Sequence, residues 1–144
     1  ISTNVTYFCS AAHEILLVAT TEPTSLTDVY ALIKTLHTKH AQKYFRVIIN
    51  SVGSESEARL IFRNLAAVAD RFLPDVSVEY LGYILLDPVV TKAVRQQKAF
   101  SELYPHSKVT QCINRLVQKI VGEKKSVVDE EQSTLFWRTA FTVQ

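Results

Sequence analysis

The sequence predicts an α/β fold, a three-layer parallel sheet with helices on both faces, and three observations support it. Residues 15–19 form an unbroken apolar run, which is typical of a strand covered on both sides. Two more apolar segments, 45–50 and 76–86, follow it, and stretches with helical spacing separate the three segments. Connections of this length allow right-handed crossovers between parallel strands. The 144 residues suffice for the core of one domain.

The first strand and helix lie between Glu14 and Lys34. The loop 20–24 leaves the carboxyl end of the strand, where open α/β sheets bind their ligands. Ser25 is expected to cap the helix, with Asp28 three residues later in the pattern of a capping box. One face of this helix is predicted to be buried by Leu26, Val29, Tyr30, Ile33 and Leu36.

The second and third strands are predicted at Phe45–Asn50 and Val76–Leu86. A capping box at 54–57 starts the helix between them, and Pro74 ends it. Gly82 interrupts the third strand, which indicates a bend or a close approach of other backbone. The buried stripe of the intervening helix is expected to consist of Ala58, Ile61, Phe62, Leu65, Ala69 and Phe72.

The remaining helices flank this region. A helix is predicted over 4–13, another begins at Asp87-Pro88, and the most regular amphipathic stripe follows Pro105. The chain then divides into residues 1–121, a charged connector over 122–132 and an amphipathic terminal helix over 133–144. Three strands are few for a parallel sheet, so at least one edge should be open unless another segment or chain pairs with it.

Composition and spacing argue against several classes of function. A formal charge of +2 is too small to indicate nucleic-acid binding, and no apolar run approaches the length of a membrane span. Cys9 and Cys112 each lie on an apolar helical stripe, so both are predicted to be buried thiols in a reducing cytosol. No metal-ligand spacing and no nucleophilic triad is found around the four histidines, His13, His37, His40 and His106.

Three segments resemble a known family. They are Glu22–Lys34, the strand end Val47-Ile48-Ile49-Asn50, and Gly82–Asp87 followed by Ala93-Val94. In this order they resemble the MinD/ParA class of P-loop ATPases, and within it the FlhG (FleN) flagellar number regulators. The resemblance covers roughly residues 1–121 and implies the C-terminal half of a MinD-like P-loop NTPase fold.

The same resemblance implies that the phosphate-binding machinery lies elsewhere. In this class a Gly-rich loop with two lysines, a water-positioning aspartate and an Asp-Thr-x-x-Gly switch precede the segment that matches Asn4. All of them would lie upstream of Ile1. We therefore expect this polypeptide alone not to hydrolyse ATP, because phosphoryl transfer depends on positioning and charge stabilisation by those groups.

The resemblance also assigns nucleotide-binding residues. Asn50 matches a residue that reads adenine, and Ile84, Leu85 and Asp87 match the loop beside it, with Leu85 replacing the usual proline. A carboxamide can both donate to and accept from a base edge. The residues alone leave another interpretation open, in which Asn50 only caps its own turn. The implied cofactor of the full-length protein is ATP or ADP with Mg²⁺.

Two carboxylates are implied at a dimer interface. Glu22 and Asp28 match positions that face the other subunit and its nucleotide in ATP-bound homodimers of the class. Asp28 is equally well explained as a first-turn carboxylate that interacts with the helix dipole. Both roles can hold together.

The terminal helix carries Leu135, Phe136, Trp137 and Phe141, and its class uses such a helix for reversible membrane attachment. Three acidic residues at 129–131 would be repelled by anionic lipid, so docking on protein remains an alternative.

The resemblance implies a function in controlling flagellar number and placement through ATP-dependent dimerisation. The implied partners are a signal-recognition-type flagellar GTPase and flagellar basal-body or regulator proteins, without nucleic acid. The implied location is the cytoplasm, with peripheral contact at the inner membrane face. The alternative is a non-catalytic interaction module that binds a partner through its open sheet edge.

Overall fold

The centre of the molecule is a three-stranded parallel sheet in the order β1-β2-β3. The structure is a computed structural model that describes Cys9, Ala12 and residues 14–123. The strands are β1 (Leu16–Ala19), β2 (Tyr44–Val52) and β3 (Ser77–Leu85). The predicted α/β class and parallel sheet are confirmed.

Five helices accompany the strands within residues 14–123. They are α1 (Pro23–His40), α2 (Glu55–Phe72), α3 (Pro88–Arg95), α4 (Phe100–Leu103) and α5, which covers 108–123. The predicted helix over 4–13 lies outside the described residues except at Cys9 and Ala12. So do the terminal helix over 133–144 and all of the connector after residue 123.

The main core lies between one face of the sheet and helices α1 and α2. Side chains alternate across a strand, so Phe45, Val47 and Ile49 of β2 share this face, and each is at most 1% exposed. Of the five positions that the spacing of α1 predicted to be buried, Val29, Ile33 and Leu36 are buried, whereas Leu26 and Tyr30 are partly buried. The helical residues buried in this cluster are Val29, Ile33, Leu36, Ala58 and Leu65.

Helix α5 covers the opposite face over β2 and β3. Ile48, Leu81 and Leu116 are buried there, with Ile113 and Ile120 packed against them. The same face of β1 is not covered by the described residues, and Leu16 and Val18 of β1 are 40% and 54% exposed. The unbroken apolar run predicted cover on both sides of β1, and the residues that the structure describes provide it on the α1 side. Phe72, which the predicted stripe of α2 included, is also exposed, as are Val94 of α3 and Val117 of α5.

Two predicted helix starts are confirmed by their hydrogen bonds. The Ser54 hydroxyl accepts from the Glu57 amide at 3.2 Å, and the Glu57 carboxylate accepts from the Gly53 amide at 2.7 Å. Asp87 caps α3 in the same manner, since its Oδ1 accepts from the Val89 amide at 3.1 Å. These bonds satisfy amide groups that the first turn of a helix leaves without partners.

The predicted start of α1 is wrong. The helix begins at Pro23, and Glu22 occupies the cap position without a side-chain capping bond. Proline suits the first helical position because its missing N–H has no helical partner there, so the helix starts two residues before Ser25. The Ser25 hydroxyl instead accepts from the Thr20 amide at 2.9 Å, which closes the loop between β1 and α1.

Gly82 lies beside a bulge in β3. Val47 pairs with Tyr80 and Ile48 pairs with Gly82, so Leu81 is the additional residue. A β-carbon at Gly82 would lie 2.7 Å from Cδ2 of Leu116 on α5. The predicted irregularity of the strand at Gly82 is confirmed, but a side chain of α5 approaches the glycine instead of other backbone.

Both cysteines are free thiols. Cys112 is buried, whereas Cys9 is half-buried and packs against the main core. No helix within the described residues is long and apolar enough to cross a bilayer. The same part of the chain holds no group of three or more His, Cys, Asp or Glu side chains arranged to bind a metal ion.

Candidate functional site at the carboxyl edge of the sheet

The candidate site residues lie where the strands end. Because all three strands are parallel, the loop after β1, the end of β2 and the loop after β3 meet at one edge of the sheet. Glu22 follows β1, Asn50 lies in β2 and Asp87 follows β3. The fold thus brings to one edge residues that are far apart in sequence.

Asn50 is half-buried and lies within β2 rather than at its last position. The strand continues to Val52, which pairs with Leu85 and is fully buried. Ile49 pairs with Tyr83, so the register shift that follows leaves Asn50 and Ser51 opposite Ile84. The Asn50 side chain makes no hydrogen bond to the described residues, which gives no support to the interpretation that it caps its own turn. Its donor and acceptor are available to a ligand.

The loop after β3 is held in place from both faces. Ile84 packs against the α5 cluster, whereas Leu85 packs against the main core. Both carboxylate oxygens of Asp87 accept from backbone, one from Val89 and the other from the Val109 amide at 3.4 Å. Asp87 therefore connects the starts of α3 and α5, and this fixes the loop that flanks Asn50.

Glu22 and Asp28 form a second group beside the side of β1 that has no strand partner among the described residues. Both carboxylates are exposed, and both line an open cavity of about 710 Å³ next to Val18. Since α1 begins at Pro23, Asp28 lies in the second turn of the helix. The interaction of a carboxylate with the helix dipole weakens beyond the first turn, so the alternative explanation for Asp28 as a first-turn residue is wrong.

The sequence did not reveal an ionic cluster near the amino ends of the strands. The Arg46 guanidinium, 13% exposed, lies 2.7 Å from the Glu14 carboxylate, 2.6 Å from that of Glu123 and 3.1 Å from that of Glu79. Burial alone would lower the pKa of Arg46, but its hydrogen bonds to Glu14 and Glu123 outweigh burial, and the pKa is raised. The available signal was an arginine among the apolar residues Phe45, Val47, Ile48 and Ile49.

Comparison with known proteins identifies the family. No protein-family model matches the chain. It is 45% identical over 120 residues to the antiactivator FleN of Pseudomonas aeruginosa, which covers 83% of this chain and 42% of FleN. It is 28% identical over 116 residues to the flagellum site-determining protein YlxH of Helicobacter pylori, which covers 81% of this chain and 39% of YlxH. The chain thus spans about two-fifths of the length of these relatives.

Fold and relatives agree on a class. The parallel sheet with its carboxyl-edge site and both relatives place the protein in the MinD/ParA class. Within that class, the chain is related to FleN over 83% of its length.

Proposed function

We propose that this chain supplies the adenine side of an ATP-dependent switch that controls flagellar number and placement. The supporting observation is Asn50, whose carboxamide has no partner among the described residues and lies against the fixed loop 84–87. An amide in that position can donate to and accept from an adenine edge at the same time. Open α/β sheets bind ligands at this edge.

The other parts of the switch extend beyond these residues. In this proposal the full-length protein binds ATP with Mg²⁺ through a Gly-rich phosphate loop that these 144 residues do not contain, and the 144-residue chain alone does not hydrolyse ATP. FleN is described as an antiactivator. By analogy, we propose flagellar regulators and a flagellar GTPase as partners of the ATP-bound dimer.

The adenine assignment is tested with Asn50→Ala in the protein expressed from its full gene. Loss of two hydrogen bonds should weaken ATP binding about tenfold, because each contributes roughly 0.5–1.5 kcal/mol. The preference for ATP over GTP should fall by a similar factor. Fluorescence titration with labelled ATP and GTP measures both affinities.

Asn64→Ala is the matched control, since Asn64 is an exposed asparagine on α2, away from the carboxyl edge. It should change neither affinity, and thermal melting should show both variants folded. An Asn50→Ala protein that binds ATP and GTP as the unsubstituted protein does would rule out adenine recognition by this residue.

The dimer interface is tested with Asp28→Ala. The carboxylate is exposed and unpaired within the described residues, so its loss should leave the fold intact. We expect at least a fivefold weaker ATP-dependent dimer, corresponding to about 1 kcal/mol for a charge pair across the interface. Analytical ultracentrifugation with ATP measures the dimerisation constant. Dimerisation equal to that of the unsubstituted protein would remove Asp28 from the interface.

A further inference from the structure

The side of β3 that faces away from β2, called the outer edge of β3, borders a basic groove. This groove is different from the candidate nucleotide site at the carboxyl ends of the strands. Among the described strands β3 pairs only with β2, so its other side has no strand beside it. Helix α2 borders this side on one face of the sheet and α5 on the other, and the groove between them encloses about 270 Å³. Its lining includes Arg59 of α2, Tyr80 of β3, and Arg115 and Lys119 of α5.

Among the described residues, the Lys119 side chain donates hydrogen bonds to the backbone at the outer edge of β3. The bulge at Leu81 turns two successive carbonyl groups outward, and Lys119 Nζ donates to the carbonyl oxygens of Tyr80 and Leu81, each at 3.3 Å. Both distances lie beyond the usual range for N–H···O bonds, so the two bonds are weak. Lysine on an edge strand is a common protection against unwanted strand pairing. Here the lysine reaches the edge from helix α5, and its long, exposed side chain can move away from the two carbonyl groups.

The charge of the groove is positive. Arg59, Arg115 and Lys119 line it, and Glu55 is the acidic side chain of the lining. Glu55 is hydrogen-bonded to Arg59 at 2.7 Å, whereas Arg115 is exposed and has no ion-pair partner among residues 14–123. The Tyr80 hydroxyl is buried without a hydrogen-bond partner within the described part of the chain. A ligand with carboxylates would complement these groups.

The handedness of strand-helix-strand crossovers favours another chain, and not a later strand of this one, as the occupant of the outer edge of β3. Helices α1 and α2 connect neighbouring parallel strands on one face of the sheet, and α5 packs on the opposite face. A crossover through α5 to a fourth parallel strand outside β3 would therefore have the opposite hand to the first two. Crossovers of this type are right-handed in about 98% of cases.

We propose that the outer edge of β3 binds an extended acidic segment of a partner protein as an added strand. The carbonyl groups of Tyr80 and Leu81 accept from the backbone N–H groups of the partner, and Lys119 moves from these carbonyls to a partner carboxylate. Arg115 binds a second carboxylate on the same side. Asn50 does not line this groove, so we expect peptide binding not to depend on the proposed ATP site.

The test uses a labelled octapeptide of alternating valine and glutamate with blocked termini, and fluorescence anisotropy with the full-length protein. The peptide should bind, and Arg115→Glu with Lys119→Glu should weaken binding at least tenfold. The control is the double variant Lys34→Glu, Lys92→Glu, which changes the net charge by the same amount at exposed positions of α1 and α3. It should leave the affinity for the peptide within twofold of that of the unsubstituted protein. Asn50→Ala should also leave it unchanged, which separates this result from the test of the ATP site.

Two further probes separate strand pairing from simple attraction of an anion. The first probe is the same peptide methylated at every backbone nitrogen, which cannot donate hydrogen bonds to β3 and should bind at least tenfold more weakly. The second probe is a peptide of alternating valine and lysine, which should not bind. Absence of binding by the acidic peptide, equal binding by the methylated one, or equal loss in the two double variants would overturn the proposal. Full competition by free glutamate or inorganic phosphate would identify an anion pocket instead and would overturn it as well.

Discussion

Replacing Arg46 with alanine should lower the free energy of unfolding by about 2–4 kcal/mol, because three partly exposed carboxylates would lose the nearly buried guanidinium that they share. Arg46 lies within 3.1 Å of three carboxylates, from Glu14, Glu79 and Glu123. Without it these three charges would repel one another at the amino edge of the sheet. The carboxylates are partly exposed, which places the expected loss below that of a fully buried cluster.

Urea denaturation of the full-length protein measures this loss. Arg46→Lys retains the charge but cannot donate to three carboxylates in the fixed geometry of a guanidinium, so it should recover only part of the stability. Arg63→Ala is the control, because Arg63 is exposed on α2 without an ion pair to the described residues, and it should change stability by less than about 0.5 kcal/mol. A similar loss for Arg46→Ala and Arg63→Ala would show that the cluster does not stabilise the fold.

Replacing Gly82 with valine should lower the free energy of unfolding by roughly 2–3 kcal/mol, in the range that overpacking of a core causes. A β-carbon at this position would lie 2.7 Å from Leu116 Cδ2. Leu116 is 7% exposed and packs between α5 and the sheet, so its displacement would disturb the contact between α5 and β3.

Gly122→Val is the matched control, since a β-carbon at Gly122 meets no atom within 4 Å. Its effect should stay within about 0.5 kcal/mol, because valine is at least as compatible with a helix as glycine. Adding Leu116→Ala to Gly82→Val should cost less than the sum of the two single changes, because each substitution relieves the other. Additive losses in this double-mutant cycle would contradict the steric explanation.

Local signals in the sequence determined most of the secondary structure. The apolar runs placed the three strands, helical spacing placed the buried positions Val29, Ile33 and Leu36, and short-range capping patterns placed the starts of α2 and α3. These features depend on residues within one or two turns of each other, so a single sequence contains the information. The error at α1 was also local, because Pro23 competes with Ser25 for the helix start.

Only the tertiary structure decided which distant residues meet. The partners of Arg46 are separated from it by up to 77 positions, and no spacing along the chain relates them. The groove beside β3 likewise depends on strand order, on the bulge at Leu81 and on the face that α5 covers. Asn50 and the loop 84–87 were predicted as neighbours through resemblance to a family, whereas the register of β2 and β3 is what brings them together. Such contacts depend on the packing of whole elements, which local periodicity does not specify.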